Sequence, residues 1–175
     1  PAVKANETIG RFRVVRMLGR GAQGTVILAS APQLGRLVAI KTLSLAGDSA
    51  TARMQRLMQE ARTASGLSHP NIVPVYEVGM LGALPYVVFE YVEGCTLSQL
   101  LRADGAMLMA RAVITMSQIL AGIAQAHSKG LMHGDITPAN ILLSAAGVPR
   151  VTDFGISRDR FASPDQAPSG TLRYM

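Results

Sequence analysis

The chain has 175 residues, enough for one ordinary domain or two small lobes with a real hydrophobic core. Apolar residues make up 49% of it, which excludes a disordered tail, and a lone cysteine, Cys95, excludes a disulfide-stapled scaffold. Lys and Arg number 17 against 11 Asp and Glu, but only Arg11, Arg13, Arg16 and Arg20 come near one another and no aromatics interleave, so the charge does not indicate nucleic acid.

Charged residues are only 16%, against roughly 25% in ordinary soluble domains, so the surface is expected to be unusually apolar or to have lost a cover. Cys95 cannot pair within the chain, which suits a reducing, cytoplasmic setting. Residues 1–10 lack the apolar run of a signal peptide and an initiator Met, so a natural start is expected upstream. The longest uncharged stretch, residues 112–126, is too short to cross a membrane and is interrupted by Ser117, Gln118 and Gln125.

In chain order, residues 11–18 and 25–30 are expected to form strands around a glycine-rich turn, with a third strand at 36–42 after Pro32 and Gly35. Asp48 or Ser49 can cap a helix carrying Met54, Leu57, Met58, Ala61 and Ala64 on one face, stopped by Gly66 and Pro70. Strands at 72–79 and 86–91 complete a small antiparallel sheet. A short helix is expected at 97–102, then a long amphipathic one with Val113, Met116, Leu120, Ile123 and His127 at helical spacing. Its apolar face is expected to pack on elements that these residues lack and so to be uncovered around Met116, Leu120 and Ile123. From Leu131 onward the segments are turn-rich. The result is an α+β chain, a β-rich lobe then an α-rich lobe, with a seam near residues 90–94.

Three constellations carry chemistry. Gly19, Arg20, Gly21, Ala22, Gln23, Gly24, Thr25 and Val26 lie between two strands, where glycines let the backbone approach a phosphate chain. A plain glycine-rich hairpin fits that stretch equally well, and a Rossmann unit does not, because no helix follows. Lys41 closes Val38-Ala39-Ile40-Lys41 on the third strand; alone it could snorkel to solvent, and Glu60 on the next helix could be an exposed helix-face residue. His133-Gly134-Asp135, Asn140 and Asp153-Phe154-Gly155 bring two carboxylates and an amide into one segment, hard oxygen donors suited to Mg²⁺.

Taken in order, these motifs resemble the signature set of the protein kinase family. His69-Pro70-Asn71-Ile72-Val73 is similar to the family's turn after its first large helix, residues 86–94 to its hinge, and Gly170-Thr171-Leu172-Arg173-Tyr174-Met175 to its substrate-site segment. The resemblance runs from Ile9 to the end, in the style of bacterial eukaryotic-like Ser/Thr kinases. It implies a two-lobed fold: residues 1–8 as an N-terminal extension, 9–93 as N-lobe and hinge, and 94–175 as a partial C-lobe.

By that resemblance ATP would lie between the lobes, with Leu18, Val26 and Ala39 above the adenine and Leu142 below it. Glu90 and Val92 would supply the hinge hydrogen bonds, with Phe89 narrowing the back of the pocket. Lys41 would contact the α- and β-phosphates and pair with Glu60. Asn140 and Asp153 would hold Mg²⁺, and Asp135 would accept the proton of the substrate hydroxyl. Thr171 favours a protein substrate with a Ser or Thr acceptor.

Three departures from the family pattern stand out. Gly134 replaces the Arg that usually receives an activation-segment phosphate, so control through Ser163, Ser169 or Thr171 is not expected. Thr137 stands where such kinases usually carry Lys. The sequence stops at Met175, before the family's Ala-Pro-Glu motif and the buried helix that anchors the catalytic loop. The 175 residues alone are therefore expected to be inactive, and a parent protein to carry further domains. Two other classes fit some of these features. Gly134 and Thr137 suit a pseudokinase or ATP-binding regulatory module. His-Gly-Asp also occurs in small-molecule phosphotransferases of related fold.

Overall fold

The computed structural model describes residues 7–21, 24–43, 50–82 and 84–154, without the side chains of 50–54, 56 and 57. The cap expected at Asp48 or Ser49, the Met54 and Leu57 side chains, Ala22, Gln23, Ser163, Ser169 and Thr171 lie outside the described residues. The chain divides into two compact units, one within Pro1–Ser65 and Pro74–Tyr91, the other within Gly66–Val73 and Val92–Met175.

The first unit is a six-stranded antiparallel sheet in the order β1-β2-β3-β4-β6-β5. Its strands are β1 (Thr8–Ile9), β2 (Phe12–Gly21), β3 (Gly24–Ala31), β4 (Arg36–Leu43), β5 (Val75–Leu81) and β6 (Leu84–Glu90). Strand side chains alternate between faces. Ile27, Ala29, Val38, Ile40, Tyr86 and Val88 therefore share one face and form a core with Ile9, Phe12 and Val14. Val26, Ala39, Lys41, Val87 and Phe89 occupy the alternate positions, in register across three strands. Helix α1 (Ala50–Ser65) lies against β5, with Ala61 and Ala64 buried.

Arg11, in the turn between β1 and β2, forms an ion pair with Glu77 of β5 and also lies over the Phe12 ring. The Tyr86 hydroxyl donates to the same Glu77 carboxylate at 3.4 Å. Burial and that carboxylate push the Tyr86 phenol above its ordinary pKa.

In the second unit, β7 (Gly94–Thr96), β8 (Ile141–Ser144) and β9 (Pro149–Val151) form a small antiparallel sheet. Helix α2 (Leu97–Asp104) opens on a capping box: the Thr96 hydroxyl accepts from the Gln99 amide while the Gln99 side chain accepts from the Thr96 amide. Helix α3 spans Met109–Ser128. Among the described residues no helix is long and apolar enough to cross a membrane.

Two expectations are corrected and one on α3 is met. The strand placed at 72–79 begins only at Val75; Ile72 instead makes a parallel bridge to Val151 within the second unit, and Val73 N–H donates to the Val151 carbonyl at 2.9 Å. Pro74, with no N–H to donate, falls between the two pairings. The turn-rich region after Leu131 contains two strands of three or four residues, too short to show a period of two. On α3 the apolar face expected to be uncovered is exposed at Met116 and Leu120, with Ile123 half-buried. Thr115, Ile119, Gly122 and Ala126 are buried, whereas Val113, Met116 and Leu120 are exposed at 59%, 53% and 55% and His127 is exposed too. Small residues face inward because a backbone passes close by. A Cβ on Gly122 would lie 3.0 Å from the Asn71 carbonyl oxygen.

Candidate active site

The glycine-rich stretch is a strand–turn–strand, with Gly19 opposite Val26, Arg20 opposite Thr25 and Gly21 opposite Gly24. Its glycines serve different ends. Gly24 has φ +142°, and a Cβ there would lie 1.8 Å from the Thr42 carbonyl oxygen, so packing against β4 demands it. A Cβ on Gly19 or Gly21 would meet nothing within 4 Å. Those two leave open backbone of the kind a phosphate chain can approach. Accordingly Gly24→Ala should destabilise the chain by about 2–4 kcal/mol through backbone strain and overpacking. Alanine at Gly19 or Gly21 should leave the melting temperature within a few degrees. Thermal unfolding of the three variants checks this, and equal losses would contradict it.

Lys41 is 6% exposed, in mid-strand between Val26 of β3 and Val87 of β6. The simple snorkelling alternative is thereby excluded, because a lysine kept for solvent would carry its ammonium outward. Glu60 on α1 is half-buried rather than exposed, and belongs to the same unit as Lys41. Exposed Leu18 and half-buried Val26 and Ala39 lie on β2, β3 and β4. Phe89 is buried opposite Ala39, and Glu90 ends β6 opposite Val38, with its N–H donating to the Pro74 carbonyl at 3.0 Å. Half-buried Val92 is the first residue of the second unit beyond β6.

In the second unit Asp135 and Asn140 meet directly. Asn140 Nδ2 donates to the Asp135 carbonyl at 2.8 Å and to its carboxylate at 3.3 Å. The 3₁₀ turn Pro138–Asn140 sets this geometry, closed by Asn140 N–H donating to the Thr137 carbonyl at 3.0 Å. With its nitrogen so engaged, Asn140 has Oδ1 as the atom to offer a cation. The Asn140 carbonyl accepts from Thr152 N–H at 3.0 Å, which places Asp153 one residue away. Asp153 has φ +66°, the only non-glycine among the described residues in the left-handed region. Such strain persists where surroundings over-determine it, and it clusters at functional sites. Leu142 lies on β8, half-buried and opposite Thr96 and Arg150.

His133, 2% exposed, joins the two halves of this cluster. Its Nε2–H donates to the Thr152 carbonyl at 2.7 Å and its Nδ1 accepts from Asp135 N–H at 3.2 Å. That pairing requires the neutral ring with its hydrogen on Nε2. The ring also meets Phe154 edge-on, centroids 4.8 Å apart. The sequence marks His133 as a motif residue, but nothing in it announces the contact with Thr152, a main-chain group nineteen positions away. Gly134 has φ +82°, a conformation that glycine adopts without strain. Thr137 is buried.

Comparison with known proteins gives the family to which these motifs belong. The protein kinase domain family matches residues 12–175, and the chain belongs to that family. It is 41% identical over 148 residues to the serine/threonine-protein kinase PrkC of Bacillus subtilis, covering 85% of this chain and 23% of that protein. It is 34% identical over 169 residues to the serine/threonine-protein kinase PknD of Mycobacterium tuberculosis, covering 95% and 26% respectively. Among solved structures, the PknI kinase domain of Mycobacterium tuberculosis superposes with a TM-score of 0.78 at 30% identity, over 90% of this chain and 64% of that one. The fold is thus the α+β, two-lobed kinase fold. The chain spans about a quarter of the length of the curated relatives it matches.

Proposed function

We propose that the chain is the nucleotide-binding and catalytic-loop part of a protein serine/threonine kinase, which transfers the γ-phosphoryl of Mg·ATP to Ser or Thr hydroxyls of a protein. The observation that carries this is the Asp135–Asn140 pair, held beside Asp153 through Thr152 and His133. Hard oxygen donors of this kind fit Mg²⁺. Asn140 Oδ1 and the Asp153 carboxylate would hold the ion, which when bound neutralises charge on the phosphate oxygens.

The remaining work falls to side chains and backbone. Open glycines at 19 and 21 would let main-chain N–H groups face phosphates, and Lys41 would place a charge on the α- and β-phosphate oxygens with Glu60 as its partner. Asp135 would accept the proton as the hydroxyl oxygen bonds to the γ-phosphorus and the bond to the leaving oxygen of ADP breaks. By the family resemblance Leu18, Val26, Ala39 and Leu142 are assigned to the adenine, and Glu90 and Val92 to the hydrogen bonds at its edge. Catalysis is then chiefly positioning and charge stabilisation.

The relatives' names support a protein rather than a small-molecule acceptor. Gly134 and Thr137 favour a second reading, an ATP-binding module without turnover. Radiolabelled phosphate transfer to a generic basic protein separates them, using residues 1–175 beside a C-terminally extended form. We expect turnover from the extended form and negligible turnover from the 175 residues, which span 64% of the solved kinase domain. An extended form that binds Mg·ATP without transfer would favour the module.

Regulation follows from Gly134. With no Arg there, alanine at Ser163 and Ser169 in the extended form should leave turnover within a few-fold. A loss of about a hundredfold, some 2.7 kcal/mol of barrier, would contradict this.

A further inference from the structure

We propose that Asn71 is a positioning residue for the catalytic cluster, holding β9 from the side opposite His133 and so fixing where Thr152 and Asp153 lie. The inference rests on the kinase reading for its functional consequence, but its structural part stands without it. Asn71 is 6% exposed and spends its groups on one strand. Its Nδ2 donates to the Pro149 carbonyl at 2.8 Å, its carbonyl accepts from Val151 N–H at 2.8 Å, and Val73 N–H donates to the Val151 carbonyl at 2.9 Å. The next residue bears the remaining contacts: Thr152 N–H donates to the Asn140 carbonyl and its carbonyl accepts from His133, which in turn accepts from Asp135 N–H. Hydrogen bonds and one backbone link, from Val151 to Thr152, thus connect Asn71 to Asp135, all within the second unit.

The segment carrying Asn71 is itself held from two sides. Asn71 N–H donates to His69 Nδ1 at 3.1 Å and Ile72 N–H to the His69 carbonyl at 3.1 Å, closing the turn around Pro70. Behind it, α3 approaches so closely that a Cβ on Gly122 would lie 3.0 Å from the Asn71 carbonyl oxygen and 3.3 Å from Ile72 Cγ1, so a neighbour would have to give by a few tenths of an ångström. Asn71 is thus backed by α3, and the segment 149–152 is held by Asn71 at Pro149 and Val151 and by His133 at Thr152. Catalytic geometry tolerates little displacement, since an error of roughly 1 Å can cost about a hundredfold in rate.

Asn71→Asp tests this with almost no change of shape. The carboxylate turns a donor into an acceptor facing the Pro149 carbonyl, and burial raises the pKa of such a carboxyl. Lowering pH protonates it and restores an O–H donor. Two quantities are measured on the 175-residue chain between pH 5 and 8.5, each as a ratio to wild type. One is the hydrogen-exchange protection of the Asp135 and Thr152 amides; the other is Mg·ATP affinity by calorimetry.

We expect protection at both amides to fall about tenfold or more at pH 8.5 and to return toward wild type at pH 5, with affinity following the same course. A folded variant with wild-type protection and affinity at every pH would overturn the proposal. So would a drop in melting temperature with affinity per folded molecule unchanged, the result of a purely structural role. Should Asn71→Asp fail to fold, Gly122→Ala decides: it must displace Asn71 slightly and reduce protection at Thr152 several-fold, and no change there overturns the proposal. If wild type binds no Mg·ATP, the kinase reading fails while the exchange data still decide the clamp.

Discussion

Asp135→Asn should lower phosphoryl transfer by about 10²–10⁴-fold in a C-terminally extended form, the usual range for loss of a positioned general base. Mg·ATP affinity should stay within a few-fold. The amide keeps the shape of the carboxylate and still offers an oxygen to Asn140 Nδ2, so the loop loses its proton acceptor without losing its scaffold. The backbone contacts are untouched: His133 still receives the N–H of residue 135, and Asn140 still reaches its carbonyl. Steady-state kinetics check the split. A fall in affinity with turnover preserved would place Asp135 in nucleotide binding instead.

Lys41→Met should weaken Mg·ATP binding by about 10–100-fold, the worth of a charge-assisted hydrogen bond to phosphate. Methionine has similar length and no charge to desolvate in the middle of the sheet, so the chain should still fold. Calorimetry on the 175 residues, beside a melting curve, separates a lost contact from a lost fold. Unchanged affinity in a folded variant would remove Lys41 from the site.

The first unit was largely legible because its strands are long and alternate. Residues 25–30 and 36–42 were expected as strands and occur as Gly24–Ala31 and Arg36–Leu43. The two-residue strand at Thr8–Ile9 and the short strands of the second unit were not legible, since two to four residues cannot display a period. Helix α3 existed as expected, with the apolar face at Met116 and Leu120 uncovered. Its inward face was not legible, because the close backbone at Asn71 that calls for Gly122 comes from a distant segment of the sequence.

The motif residues of the site could be picked out by type and order, and Asp135 with Asn140 proved to be in contact. Two features stayed invisible. Burial of Lys41 depends on strands β3 and β6 flanking β4, a matter of sheet order rather than local pattern. The bonds from Asn71 and His133 to β9 end on main-chain carbonyls, which carry no signature in side-chain identity. Sequence showed Asn71 only as part of a turn.

The most direct test of the central claim is a calorimetric titration of the folded 175-residue chain with ATP, in the presence and absence of Mg²⁺, beside Asp153→Asn. Binding should require Mg²⁺ for full affinity, and Asp153→Asn should reduce the Mg·ATP affinity about tenfold or more, as expected when a charged ligand to the ion is lost. A folded wild-type chain that binds no nucleotide, or one whose Mg·ATP affinity is indifferent to Asp153→Asn, would contradict the assignment.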